Sequence, residues 1–155
     1  MEPVKHGTRQ EEPCFKDEEQ LFRRFPPEVK SEVLATSIRF DEPPSFCRSK
    51  FARPEDTIHR NCADGQDVSR FGVFAVPVAA ARIILKDTNQ KCYHFEPKHR
   101  PEPTCYAHTE IHCLMRKDSD VLAGSDIHSK PPLIVRNQFR ARIAIALVEV
   151  IPAKH

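Results

Sequence analysis

Fourteen prolines stand against four glycines in this 155-residue chain, and that imbalance limits what it can fold into. Proline fixes φ, lacks an amide hydrogen and ends helices and inner strands. The chain is therefore cut into short elements joined by stiff, defined connections, with few flexible tips. Pro26-Pro27 must end any regular element in LFRRF (21–25). DEPPSFCRSKFARPED (41–56) reads as a proline-punctuated loop, and Gly124 with Pro131-Pro132 breaks the polar stretch 116–131. No internal repeat is visible.

The pieces between these breaks have readable periods. PEVKSEVLAT (27–36) places proline first and acids early, with Val29, Val33 and Leu34 at helical spacing, and predicts a short helix. SIRF (37–40) predicts a brief strand. VSRFGVFAV (68–76) is apolar on both faces and predicts a central strand. PVAAARIILK (77–86) predicts a helix, from its leading proline and its alanines. KCYHFEP (91–97) and TCYAHTEIHCLM (104–115) predict two strands of a hairpin joined by KHRPEP. LIVRNQFRARIAIALVEVI (133–151) puts Val135, Phe139, Ile143, Leu147 and Val150 on one stripe and predicts a helix, although its β-branched residues also suit a strand. Residues 1–18 are polar and aperiodic and predict a flexible arm. The expectation is a single α+β domain over 19–155, with a mostly antiparallel sheet around the hairpin and two or three flanking helices.

Length and charge set outer bounds. The chain suits one domain, and a net charge of +2 points neither toward nor away from nucleic acid. No run of 18 apolar residues occurs, which argues against a membrane span, and the N-terminus carries no apolar signal core. A cytoplasmic setting is the default expectation. There Cys14, Cys47, Cys62, Cys92, Cys105 and Cys113 are expected reduced and several of them buried. None forms a CxxC pair, which weakens a zinc-knuckle reading.

The chemistry concentrates in residues 104–115. Successive strand side chains face opposite ways. Alternation assigns Cys105, Ala107, Thr109, Ile111, Cys113 and Met115 to the core, and Tyr106, His108, Glu110, His112 and Leu114 to a wet face or a cleft. A solvated strand face accounts for the same pattern. The functional account adds His99 from the hairpin loop, His94 and Glu96 from the preceding strand, and Arg48, Lys50 and Arg53 beside Glu55 and Asp56.

Such a set suits proton transfer on a phosphodiester. Histidine titrates near neutrality, and cationic side chains stabilise charge growing on phosphate. The assignment is His108 and Glu110 as the acid–base pair, His99 assisting, and Arg48, Lys50, Tyr106 and Glu55 meeting substrate. That inventory is the one a metal-independent ribonuclease needs. Metal binding by His108, Glu110 and His112 is the competing reading. Positions i and i+4 of a strand lie roughly 13 Å apart, so three ligands on one ion are awkward. No metal and no cofactor is assigned. RSKFARPED (48–56) suits a phosphate clamp or a charged loop anchored by Phe51. Arg23 and Arg24 suit an anion or cover for apolar surface. Arg136, Arg140 and Arg142 suit RNA backbone or solvent. No glycine-rich phosphate loop, GxSxG elbow or HExxH helix occurs.

CRSKFARPEDTI (47–58), the FGVFAV strand and HRPEPTCYAHTEI (99–111) together resemble a group of small uncharacterised bacterial proteins. That group shares an Asn-Arg-x-Lys/Arg-aromatic stretch ending in Pro-Glu-Asp, then a His-x-Pro segment followed by Tyr-x-His-Ser/Thr-Glu-Ile. The likeness covers about residues 37–115. It implies a cleft between the 48–56 loop and the 99–110 hairpin, on Arg48, Lys50, Pro54, Glu55, Asp56, His99, Pro101, Tyr106, His108 and Glu110. Cys47 and Cys105 stand where the pattern has asparagine, and His112 falls outside it.

Three functions follow as expectations. The first is an RNA-cleaving or toxin-like enzyme with RNA or another phosphate-bearing ligand as partner. The second is a non-catalytic module binding a protein or an anionic ligand through the same face. The third, by analogy of layout, is a toxin-like ADP-ribosyltransferase using Arg23 or Arg24, Ser45 or Ser49, and Glu110.

Overall fold

Seven strands pair edge to edge in one antiparallel sheet of order β4-β5-β6-β2-β1-β3-β7. They are β1 (Gln20–Phe25), β2 (Ser45–Arg48), β3 (Gly72–Pro77), β4 (Ile83–Lys86), β5 (Cys92–His99), β6 (His108–Arg116) and β7 (Val148–Ile151). A 3-10 helix (Ser31–Ser37) and the helices α1 (Pro54–His59), α2 (Val78–Ala81) and α3 (Leu133–Ala146) complete an α+β domain. This computed structural model describes residues 10–59, 67–116 and 128–155. The first nine residues of the expected arm, Cys62, and residues 117–127 with Gly124 lie outside the described residues.

The main core lies on the sheet face that α3 covers. Val135, Phe139 and Ile143, spaced by four, are fully buried there, as the stripe predicts. The Phe139 ring stacks on Phe95 at 4.5 Å and meets Phe40 edge-on at 5.4 Å. Burying each such side chain stabilises the fold by roughly 1.5–3 kcal/mol. A smaller cluster of Phe22, Val73 and Ala75 sits on the other face, packed by Ile58 of α1. Gly72 is required where three strands meet. A Cβ there would collide with the Phe25 ring, the Ile151 carbonyl and the Ala153 amide.

The hairpin forms as the sequence predicts, and the strand expected over 68–76 forms as Gly72–Pro77 but lies sixth of seven, beside the edge strand β7, rather than at the centre of the sheet. β3 is buried along Gly72–Val76, and β5 pairs with β6 over eight residue pairs from Cys92↔Arg116 to His99↔Thr109. Four further expectations need correction. Helix over 77–86 shrinks to α2, because Ile83–Lys86 pairs with Cys92–Phe95 as β4. Helix over 133–151 stops at Ala146. Leu147 turns extended, and Val148–Ile151 joins β3 as an edge strand. The helix expected over 27–36 is 3-10 and lies at Ser31–Ser37. Residues 37–40 form no strand, while Ser45–Arg48 inside the expected loop does, bound to β1 and β6. For β4, β7 and β2 an unpaired strand edge recruits a segment with weak local preference.

The arm also differs. Its described part, 10–18, is docked on the domain rather than loose. Phe15 is buried, the Tyr106 hydroxyl donates to the Gln10 carbonyl at 3.0 Å, and Arg100 pairs with Glu11 at 2.7 Å.

Candidate functional site

The register of the β2–β6 ladder decides what faces what. Ser45 stands opposite Glu110 and Cys47 opposite His108, and side chains of directly opposite residues share a face. The next strand adds Lys98 opposite Glu110 and Glu96 opposite His112. One sheet face therefore carries Ser45, Cys47, His94, Glu96, Lys98, His108, Glu110 and His112. Arg48, Thr109 and His99 point to the other.

On the first face, Glu110 is held by two imidazoles. His108 Nε2 lies 3.1 Å from Oε2 and His112 Nε2 lies 2.9 Å from Oε1. These contacts hold the Glu110 carboxyl down at about 2, His108 contributing most, against the opposing effect of burial. His108 Nδ1 also lies 3.2 Å from Glu102 Oε1. A neutral ring donates from one nitrogen only, whereas the doubly protonated ring satisfies both carboxylates. Both histidines are buried, while the Glu110 side chain is 27% and the Glu102 side chain 36% exposed. The expected wet face is thus closed over its imidazoles and open at its carboxylates. His112 Nδ1 has no hydrogen-bond partner among the described residues.

His128 closes the far side of this group. It accepts the Cys113 amide at Nδ1, 3.1 Å away, and its Nε2 faces the Phe40 carbonyl at 3.0 Å. Its ring meets that of His112 edge-on at 6.0 Å. Burial lowers its pKa.

Arg48 does something different from what the sequence predicts. It is wholly buried and bidentate to Glu19, with Nε and Nη2 each 2.8 Å from a carboxylate oxygen. Nη1 donates to the Glu12 carbonyl at 2.6 Å and Nη2 to the Cys14 carbonyl at 2.9 Å. The guanidinium centre sits 3.8 Å from the Phe15 ring centroid. Every arm of the fork is engaged, on the face opposite His108, so Arg48 anchors the 10–19 segment and is not available to a substrate. His99 is likewise structural. Nδ1 accepts the Glu12 amide at 2.8 Å and Nε2 donates to the Tyr106 carbonyl at 2.5 Å. Desolvation lowers its pKa, and it belongs to the Arg48 side, not to the acid–base pair.

Tyr106 changes face as well. Residues 102–105 form a tight turn in which Glu102 and Cys105 exchange both backbone hydrogen bonds at 3.0 Å. β6 starts only at His108, so alternation fails before it. Tyr106 packs on Phe51 and His99, while the Cys105 sulfur approaches that of Cys47 at 3.7 Å. Tyr106 closes one side of a cleft of about 490 Å³, lined also by Ser49, Lys50, Phe51, Arg53 and Asp56. Lys50 pairs with Glu12 at 2.9 Å and Arg53 with Asp56 at 3.5 Å. Glu55 is exposed in the first turn of α1 and does not line this cleft.

Two of the arginine groups serve the backbone. Arg140 donates twice to the Ile38 carbonyl and Arg136 to that of Pro131. Among the described residues no three His, Cys, Asp or Glu side chains are placed to hold a metal ion, and no helix is long and apolar enough to cross a membrane. The geometry thus unites His108, Glu110 and His112 and separates them from Arg48 and His99. Sequence reading missed Glu102, Lys98 and His128. Lys98 was reachable from hairpin register; Glu102 and His128 come from loops and leave no periodic signal. Comparisons with protein-family models, curated proteins and solved structures give no match to this chain.

Proposed function

We propose that the chain is a metal-independent acid–base enzyme that cleaves RNA. The carrying observation is the hydrogen-bonded run Glu102–His108–Glu110–His112, two accessible carboxylates bracketing a buried imidazole. Glu110, its carboxyl held near 2, is too weak a base to take a proton near neutrality. It positions His108, and His112 fixes its second oxygen. Glu102 takes the proton of the attacking ribose hydroxyl as the oxygen–phosphorus bond forms. Solvent at the open carboxylate edge gives a proton to the leaving oxygen as that bond to phosphorus breaks, while His108, hydrogen-bonded at both nitrogens, holds Glu102 and Glu110 in place. Glu102, 36% exposed, then returns its proton to solvent and is restored as a carboxylate. The phosphate contact assigned to Arg48 passes to Lys98, which stands opposite Glu110 on the same face.

The test is cleavage of a fluorescent single-stranded RNA in the presence of a chelator. His108→Ala should lose about 10²–10⁴-fold, and Glu110→Gln should lose activity while shifting the pH optimum. A parent that binds RNA without cutting it makes the chain a binding module.

A second reading, ADP-ribosyl transfer, draws on one further observation. Arg24 and Ser45 line a common cavity of about 130 Å³, and Ser45 stands opposite Glu110. Consumption of NAD by the parent, lost in Glu110→Gln, supports it; no consumption removes it.

A further inference from the structure

Cys47 lies on β2 and Cys105 in the hairpin turn, 58 residues later, yet their sulfurs are 3.7 Å apart. Among the described residues this is the one close contact between two cysteine sulfurs. The fold alone makes that proximity, since the residues share no local segment. The two thiols are unequal in a useful way. Cys105 is half-buried and reachable, whereas Cys47 is 1% exposed. A disulfide needs about 2.05 Å between sulfurs, so closure asks for less than 2 Å of approach. Side-chain rotation and a small shift of the 102–105 turn can supply it. Cys113 does not compete, because burial pushes its thiol up to about 12.

We propose that Cys47 and Cys105 form a reversible peroxide-sensitive disulfide site, with Cys105 as the attacking and Cys47 as the resolving thiol. The Cys105 thiolate attacks one oxygen of a hydroperoxide. The O–O bond breaks, hydroxide leaves and takes a proton to become water, and Cys105 becomes a sulfenic acid. Cys47 sulfur then attacks the Cys105 sulfur. The S–S bond forms, the S–O bond breaks, and the departing hydroxide takes the Cys47 proton as a second water. Two electrons pass from the thiols to the peroxide, and a dithiol reductant returns them. The bond ties β2 to the turn that carries Glu102. This site stands on its own geometry and does not depend on the catalytic reading of His108.

The experiment treats the full chain with a small excess of hydrogen peroxide, blocks remaining thiols with N-ethylmaleimide, and maps peptides without reductant. The expected product is a Cys47–Cys105 linked peptide that dithiothreitol releases. Tm should rise by about 10 °C on oxidation, because a long loop is closed in the unfolded chain. Cys105→Ser should keep the reduced Tm and lose both the link and the rise. Linkage of Cys47 or Cys105 to Cys14, Cys62 or Cys92 instead, or Cys105 driven to sulfinic acid beside alkylated Cys47, overturns the proposal. The parent's peptide map decides the matter even if the variant does not fold.

Discussion

The two sides of the β2–β6 ladder hold charged groups of similar kind and opposite meaning. Around Arg48 all three nitrogens of the fork are hydrogen-bonded, the ion pair with Glu19 is sealed, and an aromatic ring lies against the guanidinium. Around Glu110 the imidazoles are buried but the carboxylate oxygens still reach solvent. Completeness of hydrogen bonding, more than density of charge, separates a structural cluster from a chemical one. A group with no spare donor or acceptor has nothing to offer a ligand.

The sharpest way to break this contrast is Arg48→Ala. Removing one partner of a buried pair leaves Glu19 uncompensated and should cost about 3–5 kcal/mol, read as a fall in the urea midpoint. A loss below about 1 kcal/mol would mean that Arg48 is not the anchor described.

The next effect belongs to acid. The Glu110 pKa falls from 4.5 to about 2 on folding. The folded state therefore binds fewer protons between those values, and stability drops as pH falls through that window. The expected loss is about 3 kcal/mol, and Glu110→Gln should flatten the profile below pH 4.5. His99 and His128 are both lowered by burial from 6.5. Their contribution is full above pH 6.5 and is lost as pH falls below it, since each must then charge inside the fold. Urea midpoints measured between pH 7.5 and 5 should show that earlier, gentler decline, and His99→Gln should reduce it. The smallest change expected is at Lys50. Its bridge to Glu12 is half-exposed, so Lys50→Ala should move Tm by less than about 2 °C.

Particular residues show how far the one-dimensional signal reaches. Val135, Phe139 and Ile143 announce their helix face, because apolar residues at spacing four line up on a helix while the residues between them spoil the alternation a strand needs. Val148 and Val150 belong to the same apolar run yet leave the helix, since β3 offers an edge with unpaired backbone groups and pairing outweighs propensity. Ser45–Arg48 carries only four strand residues between prolines and charges, too few for alternation to stand out. His108, Glu110 and His112 were legible as one face because a period of two is local. That Arg48 lies on the opposite face was not, because a loop and a strand of the same residues place it differently by half a turn.

Sequence by itself determined the antiparallel hairpin, the burial of the strand on both faces at Gly72–Val76, the helix face and the grouping of two histidines around a glutamate, all of which follow from spacing along the backbone. Tertiary structure alone decided which charges are sealed, which carboxylates face solvent, and that Cys47 meets Cys105. Those outcomes depend on strand register and on loops that return from far away in the chain. Register sets the face of each side chain, and nothing within a single segment encodes its neighbour.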